Sequence, residues 1–334
     1  MITFAKKILI TSSDIFAISS QKQFEKIALK VFRFQYENNL VYQEFCNFLN
    51  TDPHKVKSLQ QIPFLPIQFF KSHEVVSNTN PIQETFTSSG TTGMITSKHL
   101  VTDVNLYEES YRKGFSEFYG NIEDYVVLAL LPSYLEREGS SLIYMVKDLI
   151  ALSNHPESGF YLHNHDELIA KLITLDETGQ NVILIGVTFA LLDLIEKQQF
   201  QLKHTIIMET GGMKGKRKEM IREELHEQLC KGFGVSAIHS EYGMTELLSQ
   251  AYSLGDGIFN CVPWMKVLTR DTNDPLSLLE GEKTGGINVI DLANINSCSF
   301  IATQDLGKIH PDGSFEVLGR FDQSDVRGCN LMVD

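Results

Sequence analysis

At 334 residues, 43% apolar and 21% charged, the chain has the length and balance of one large domain or two ordinary ones with a sizeable buried core. A formal net charge of −13 argues against a nucleic-acid backbone as main partner, because neutralising phosphates takes a basic face, and a bound nucleotide must then rely on local backbone N–H groups and a metal ion. No apolar run approaches the ~18–20 residues of a membrane span; the patch within residues 1–12 is too brief for a secretory signal; and Cys46, Cys230, Cys261, Cys298 and Cys329, odd in number and without a CxxC pair, fit a reducing cytoplasm.

Residues 1–80 read as a helical region. Phe24, Ile27, Val31 and Phe34 recur at helical spacing with Ser20 as N-cap, and Pro63 and Pro66 then favour an extended path. Residues 81–260 read as an α/β core. Four apolar runs, at 125–131, 182–185, 205–208 and 235–238, predict buried parallel strands. Each runs into a polar or glycine-rich stretch: PSYLEREGSS, GVTF, ETGGMKGKRKE and HSEYGMTE. In open α/β sheets ligands bind at that edge. GVTF leads into a helix, and another helix, with Ile221, Leu225 and Leu229 on one face, follows the third strand. Residues 261–334 read as a β-rich subdomain, with strands in GGINVIDL, CSFIATQDLG and SFEVLGRF and a turn at HPDGS, where Pro311 presets φ and Gly313 accepts a positive one. Cys46, Cys230, Cys261 and Cys298 fall within helix or strand patterns and read as core, while HNHD at 163–166 reads as a solvated turn.

The stretch TFTSSGTTGMITSKH, at 85–99, concentrates hydroxyls around Gly90 and Gly93. Glycine lets the backbone approach an anion closely, successive N–H groups can wrap it, and Ser88, Ser89, Thr91 and Thr92 add donors; the same composition also makes a plain solvent loop. It lacks the G-x-x-x-x-G-K-[ST] spacing of a Walker loop, and GGMKGKR at 211–217 is one residue short, with Arg217 where Ser or Thr is required.

Four segments in order resemble the motifs of the adenylate-forming enzymes, the acyl- and aryl-CoA ligase superfamily. TSSGTTG resembles their phosphate loop, EYGMTE (241–246) the adenine- and magnesium-contacting motif, TQDLG (303–307) the ribose-binding motif and GRFDQSDVRG (319–328) the hinge. ETGG (209–212) places Gly211 and Gly212 where the superfamily has a glycine pair beside adenine. Within it, IPFLPIQFFKSH, LPSYLEREGSS, METGGMKG and the short C-terminus are most similar to the acyl-protein synthetases (LuxE-type), ligase components of bacterial fatty-acid reductase complexes; phenylacetate-CoA ligases share SSGTTG. Two departures stand out. The usual Pro-Lys after the loop is absent, with Lys98 two positions late, and the chain stops at Asp334 just past the hinge, so the mobile C-terminal domain with its adenylation lysine is expected to be truncated.

The resemblance implies an α/β fold with a helical N-terminal region, mixed or parallel sheet layers and a β-rich C-terminal subdomain. It also implies activation of a carboxylic, chiefly fatty, acid to acyl-AMP with ATP and Mg²⁺, followed by acyl transfer to a thiol. Ser88, Ser89, Gly90, Thr91, Thr92 and Gly93 would clamp the leaving phosphates. Glu246 would hold Mg²⁺, Thr245 the α-phosphate, Tyr242 with Gly243 and Met244 the adenine, and Asp305 the ribose, assisted by Arg320. Cys329 would be the acyl acceptor, its thiolate favoured by Arg327 and opposed by Asp325, and an acyl reductase or acyl carrier protein the partner. Singly, each residue has a plainer reading: Glu246 as a helix-start carboxylate, Asp305 as a turn residue, Arg320 as a surface ion-pair partner, Cys329 as a packed thiol. Phe189 and Tyr134 are acyl-pocket candidates, Arg137 a candidate for steering the carboxylate, and His239 either lines that pocket or packs in the core. Two other readings stay open: a ligase serving CoA or a carrier-protein phosphopantetheine, and a nucleotide-binding subunit without catalysis.

Overall fold

A computed structural model of the chain describes residues 10–88, 96–132, 139–162, 164–211 and 220–321. Three helices open it: α1 (Ser12–Phe16), α2 (Gln21–Asn38) and α3 (Leu40–Phe48). Ser20 caps α2 by accepting the Gln23 N–H, and Asn39 both ends α2 and caps α3 by accepting the Tyr42 N–H. Phe24, Ile27 and Val31 are buried, and Phe34 packs at the margin of the core. The stretch around Pro63 and Pro66 is extended, with β1 (Leu65–Pro66) and then a single helical turn, α4 (Phe69–Ser72). β2 (Glu84–Thr87) and β3 (Lys98–Val101) form a separate antiparallel ribbon.

The α/β part follows as α5 (Val104–Tyr119), β4 (Val126–Leu130), α6 (Ser141–Ser153), β5 (Gly159–Tyr161), α7 (His165–Glu177), β6 (Val182–Gly186), α8 (Thr188–Lys197), β7 (Thr205–Glu209), α9 (Arg222–Phe233) and β8 (His239–Tyr242). β5, β4, β6, β7 and β8 lie side by side and parallel. Every residue of β4 and β6 is buried, which is why both read as unbroken apolar runs. The remaining strands are β9 (Ala251–Ser253), β10 (Ile258–Cys261), β11 (Met265–Arg270), β12 (Gly285–Asp291), β13 (Phe300–Ile309) and β14 (Phe315–Arg320). They continue the same sheet in the order β11-β12-β13-β14-β10-β9-β8-β7-β6-β4-β5, with β1 beside β13. The predicted turn joins β13 to β14: the Gly313 N–H donates to the His310 carbonyl at 2.9 Å, with Gly313 at φ +90°. Among the described residues no helix is long and apolar enough to cross a membrane.

Three expectations need correction. The fourth strand does not occupy 235–238. Gly234, at φ +69°, and Val235 both donate to the Cys230 carbonyl and finish α9, so the apolar run is spent on a helix end and β8 begins at His239. HSEY is therefore strand rather than loop. Ile221 precedes α9 as its N-cap and is exposed, whereas Leu225 and Leu229 are buried. Of the four cysteines expected in the core, Cys46 and Cys298 are fully buried, Cys298 in the approach to β13 rather than in the strand, and Cys230 and Cys261 are half-buried.

Candidate active site at the C-terminal edge of the parallel strands

The ends of the hydroxyl-rich loop are clipped together. The Ser97 N–H donates to Ser88 Oγ at 2.9 Å, and the Ser88 N–H donates to the Ser97 carbonyl at 3.1 Å. Between them Ser89, Gly90, Thr91, Thr92 and Gly93 lie outside the described residues. Beside the clip, Gly139 accepts the Thr87 N–H at 2.8 Å, so the segment returning from β4 closes on the end of β2.

Gly243, Met244, Thr245 and Glu246 leave the end of β8 in a tight turn, with the Leu247 N–H donating to the Met244 carbonyl at 3.0 Å. Glu246 is 5% exposed. Burial pushes its carboxyl above the usual range, while the Ser97 hydroxyl and the charges of Arg320 and Lys71 act the other way. One hard carboxylate oxygen donor thus stands beside the loop clip. Among the described residues no set of three His, Cys, Asp or Glu side chains forms a metal cage. That donor set suits a magnesium ion held through a single carboxylate and substrate phosphates.

Tyr242 and Asp305 meet across the sheet. The Tyr242 hydroxyl donates to Asp305 Oδ2 at 2.8 Å, and Arg320 Nε donates to Asp305 Oδ1 at 2.9 Å. Register explains the second contact, because Asp305 of β13 and Arg320 of β14 are direct cross-strand partners. The Asp305 N–H donates to Thr303 Oγ1, which in turn donates to the Ile287 carbonyl, so the DLG stretch is anchored to β12. Each Asp305 oxygen keeps acceptor capacity for a further donor. The Tyr242 ring stands edge-on to Phe259 and Phe315, leaving 8% of the residue exposed; its main observed task is to hold Asp305.

Sequence reasoning missed two groups. Glu209, at the end of β7 and 3% exposed, accepts from Arg222 Nη1 at 2.6 Å, Ser240 Oγ at 2.9 Å, the Gly211 N–H at 2.7 Å and Thr188 Oγ1 at 3.2 Å. Burial alone would raise its carboxyl; His226, Arg222 and the Gly211 N–H outweigh that and hold it at about 2. This knot fixes Gly211, at φ +73°, and closes the ends of β6, β7 and β8 on one another. Its neighbour Glu241 is driven the opposite way, to about 8, by burial and by the charge of Glu209. The second group lies beneath the Thr245–Glu246 turn: His99 Nδ1 donates to the Thr245 carbonyl at 2.8 Å, and Asn294 Nδ2 donates to the Glu246 carbonyl at 2.8 Å. Just beyond, Asp291 Oδ2 accepts the N–H groups of Leu248 and Ser249. A carboxylate closing an apolar strand, as in TIIME and INVID, is the signal that points to Glu209 and Asp291.

Other candidates are scattered. Gly212, Tyr134, Arg137 and Cys329 lie outside the described residues. Lys98 is exposed at the start of β3, opposite Thr87. Phe189 is partly buried on α8. His239 packs beside Tyr119, with Nδ1 3.2 Å from the phenol oxygen, and burial lowers its pKa. The geometry therefore gathers Ser88, Ser97, Tyr242, Thr245, Glu246, Asp305 and Arg320 at one sheet edge.

The model of the family described as acyl-protein synthetase, LuxE, matches residues 2–113. A long-chain-fatty-acid–luciferin-component ligase of Vibrio harveyi is 22% identical across 98% of this chain and 91% of its own length. Its counterpart from Photorhabdus luminescens is 34% identical over 26% of this chain and 77% of its own. Among solved structures, ATP-bound MatB from Rhodopseudomonas palustris is similar with a TM-score of 0.54 at 17% identity, over 73% of this chain and 49% of MatB, so the chain spans about half of that enzyme. A 2-hydroxyisobutyryl-CoA ligase in complex with 2-HIB-AMP and CoA is similar with a TM-score of 0.66 at 12% identity, over 96% of this chain and 74% of its own. At such identities the likeness is one of fold alone.

Proposed function

The chain belongs to the LuxE family of acyl-protein synthetases, and on that premise we propose that it is a cytoplasmic ligase that activates a long-chain fatty acid as its adenylate and passes the acyl group to a thiol. The observation that carries the reading is the meeting of the Tyr242–Asp305–Arg320 lock with the buried Glu246 at the mouth of the Ser88–Ser97 clip.

In the first half-reaction a carboxylate oxygen of the acid attacks the α-phosphorus of ATP in line, the new O–P bond forms and the bond to pyrophosphate breaks. Two anions must meet, so catalysis consists of positioning and charge neutralisation. Asp305 holds the ribose hydroxyls on its free acceptor sites, kept in place by Tyr242 and Arg320. Gly211, fixed by Glu209, offers backbone beside the adenine. Ser88 opens the loop that wraps the leaving phosphates, and Thr245 donates to the α-phosphate. Glu246 would hold a magnesium ion, which would supply positive charge to offset that of the phosphates.

In the second half-reaction a thiolate sulfur attacks the acyl carbonyl carbon, a thioester forms and AMP leaves. Cys329 is the acceptor we propose from the family resemblance, with an acyl reductase as the protein that consumes the thioester. Incubation with ATP, Mg²⁺ and radiolabelled long-chain acid should label the protein with a hydroxylamine-sensitive acyl group. The label should vanish in Cys329→Ser while acyl-AMP still accumulates. Full labelling of Cys329→Ser, or prompt transfer to free CoA instead of protein, would contradict the acceptor and favour the CoA ligase reading.

A further inference from the structure

We infer that His99 and Asn294 act as a pair of positioning residues that aim the carboxylate of Glu246. The inference rests on the ligase reading above and adds to it two residues with no role in the motifs. Both are fully buried, and neither side chain reaches the ligand edge itself.

Their hydrogen bonds fall on the two peptide units that flank Glu246. The carbonyl of Thr245 belongs to the unit before the Glu246 Cα, and His99 Nδ1 donates to it at 2.8 Å. The carbonyl of Glu246 belongs to the unit after that Cα, and Asn294 Nδ2 donates to it at 2.8 Å. Fixing both planes fixes φ and ψ of Glu246, and with them the direction in which its side chain leaves the backbone. A glutamate in a turn outside helix or strand has no ladder to do this.

The pair is itself held. Asn294 Nδ2 also donates to the Cys298 carbonyl at 2.9 Å. The Asn294 carbonyl accepts from Gln35 Nε2 at 3.1 Å, so α2 braces the backbone beneath it. His99 is fixed in plane by the Phe70 ring, edge-on at 5.8 Å. It sits on β3, immediately after the Ser97 that closes the phosphate-loop clip and Lys98. One rigid body therefore sets the loop clip and the Glu246 turn relative to each other, which is the spacing that metal and phosphate must match.

The test compares His99→Ala and His99→Asn in the full chain. The Asn side chain can return an N–H to the Thr245 carbonyl from roughly the position of Nδ1. Two readouts are taken: acid-dependent exchange of labelled pyrophosphate into ATP, and the rise in melting temperature on adding Mg·ATP. Misplacing a catalytic group by an ångström costs about 100-fold in rate, so H99A should lose about that much in exchange and, with Glu246 no longer aimed at the metal, should also lose the Mg·ATP shift. H99N should recover to within about tenfold of wild type, beyond what its own melting temperature accounts for. Exchange by H99A within twofold of wild type, or losses in both variants that only follow their loss of stability, would overturn the positioning role and leave the ligase reading intact. No exchange by wild type with any acid would instead sink the ligase reading. The Mg·ATP shift then decides the inference alone: it stands if H99A loses the shift and H99N keeps it, and falls if all three proteins shift alike.

Discussion

Asp305 is where a single side chain decides most. Its carboxylate is buried and carries one partner on each oxygen, Tyr242 and Arg320, the second placed by strand register rather than by chance proximity of surface charges. Asp305→Asn keeps the size but removes the charge and two of the acceptor sites. We expect KM for ATP to rise about tenfold or more, in line with losing one or two charge-assisted hydrogen bonds to the ribose. Saturation by the acid should hardly change, and steady-state kinetics with each substrate varied in turn will separate the two. Tyr242, Glu246, Asp305 and Arg320, members of the proposed site, can be picked out in the sequence because they lie in short runs that resemble family motifs. His99, Asn294 and Asp291 cannot. Their partners stand 146, 48 and 43 residues away in the chain, and nothing local marks a histidine in KHLV or an asparagine in LANIN as anything but packing.

At the level of elements, the site depends on how strand ends are tied off. β8 was misplaced by the apolar run before it, because hydrophobicity alone does not tell a helix cap from a strand, whereas Gly234 at positive φ does. The β6–β7–β8 edge is tied by Glu209, and a pH-dependent stability follows. Its carboxyl is held at about 2 in the fold against an ordinary 4.5. The folded-state pKa is depressed, so the ionised form contributes its stability above pH 4.5 and loses it as pH falls from about 4.5 towards about 2. Glu209→Gln should destabilise the protein at pH 7 by roughly 2–3 kcal/mol, less than for a fully dry pair, because the Arg222 side chain is 28% exposed. In urea titrations the gap between wild type and variant should hold steady above pH 5 and close below it. A gap that does not narrow between pH 5 and pH 2, or none at pH 7, would show that Glu209 does not hold this edge.

For the whole molecule, the sequence suggests three successive regions, and β4, β6 and β7 with the helices that follow β6 and β7 are readable from period and composition, whereas α6, β5 and α7 are not. What no periodicity conveys is that the β-rich strands extend the same sheet through β8 and β9, or that α2 and β1 reach across to the far part of the chain. Gln35 donates to the Ile295 carbonyl and accepts the Ser299 N–H, and Leu65 pairs with Ile301. Such contacts are set by chain closure over 236 to 264 positions, where side-chain pattern carries no register information. Their consequence is functional: the phosphate-loop clip, the Glu246 turn and the Asp305 lock come from separate parts of the chain and are kept in one frame. If that frame is an adenylation site, it must make and unmake acyl-AMP reversibly. The measurement that tests this most directly is pyrophosphate exchange into ATP across a panel of fatty and aryl acids, for wild type and for Glu246→Gln. Our account predicts exchange that rises with long-chain acids and falls at least about 100-fold in the variant, whose melting temperature stays near that of wild type. Exchange that is absent with every acid, or that survives the loss of the Glu246 charge, would contradict it.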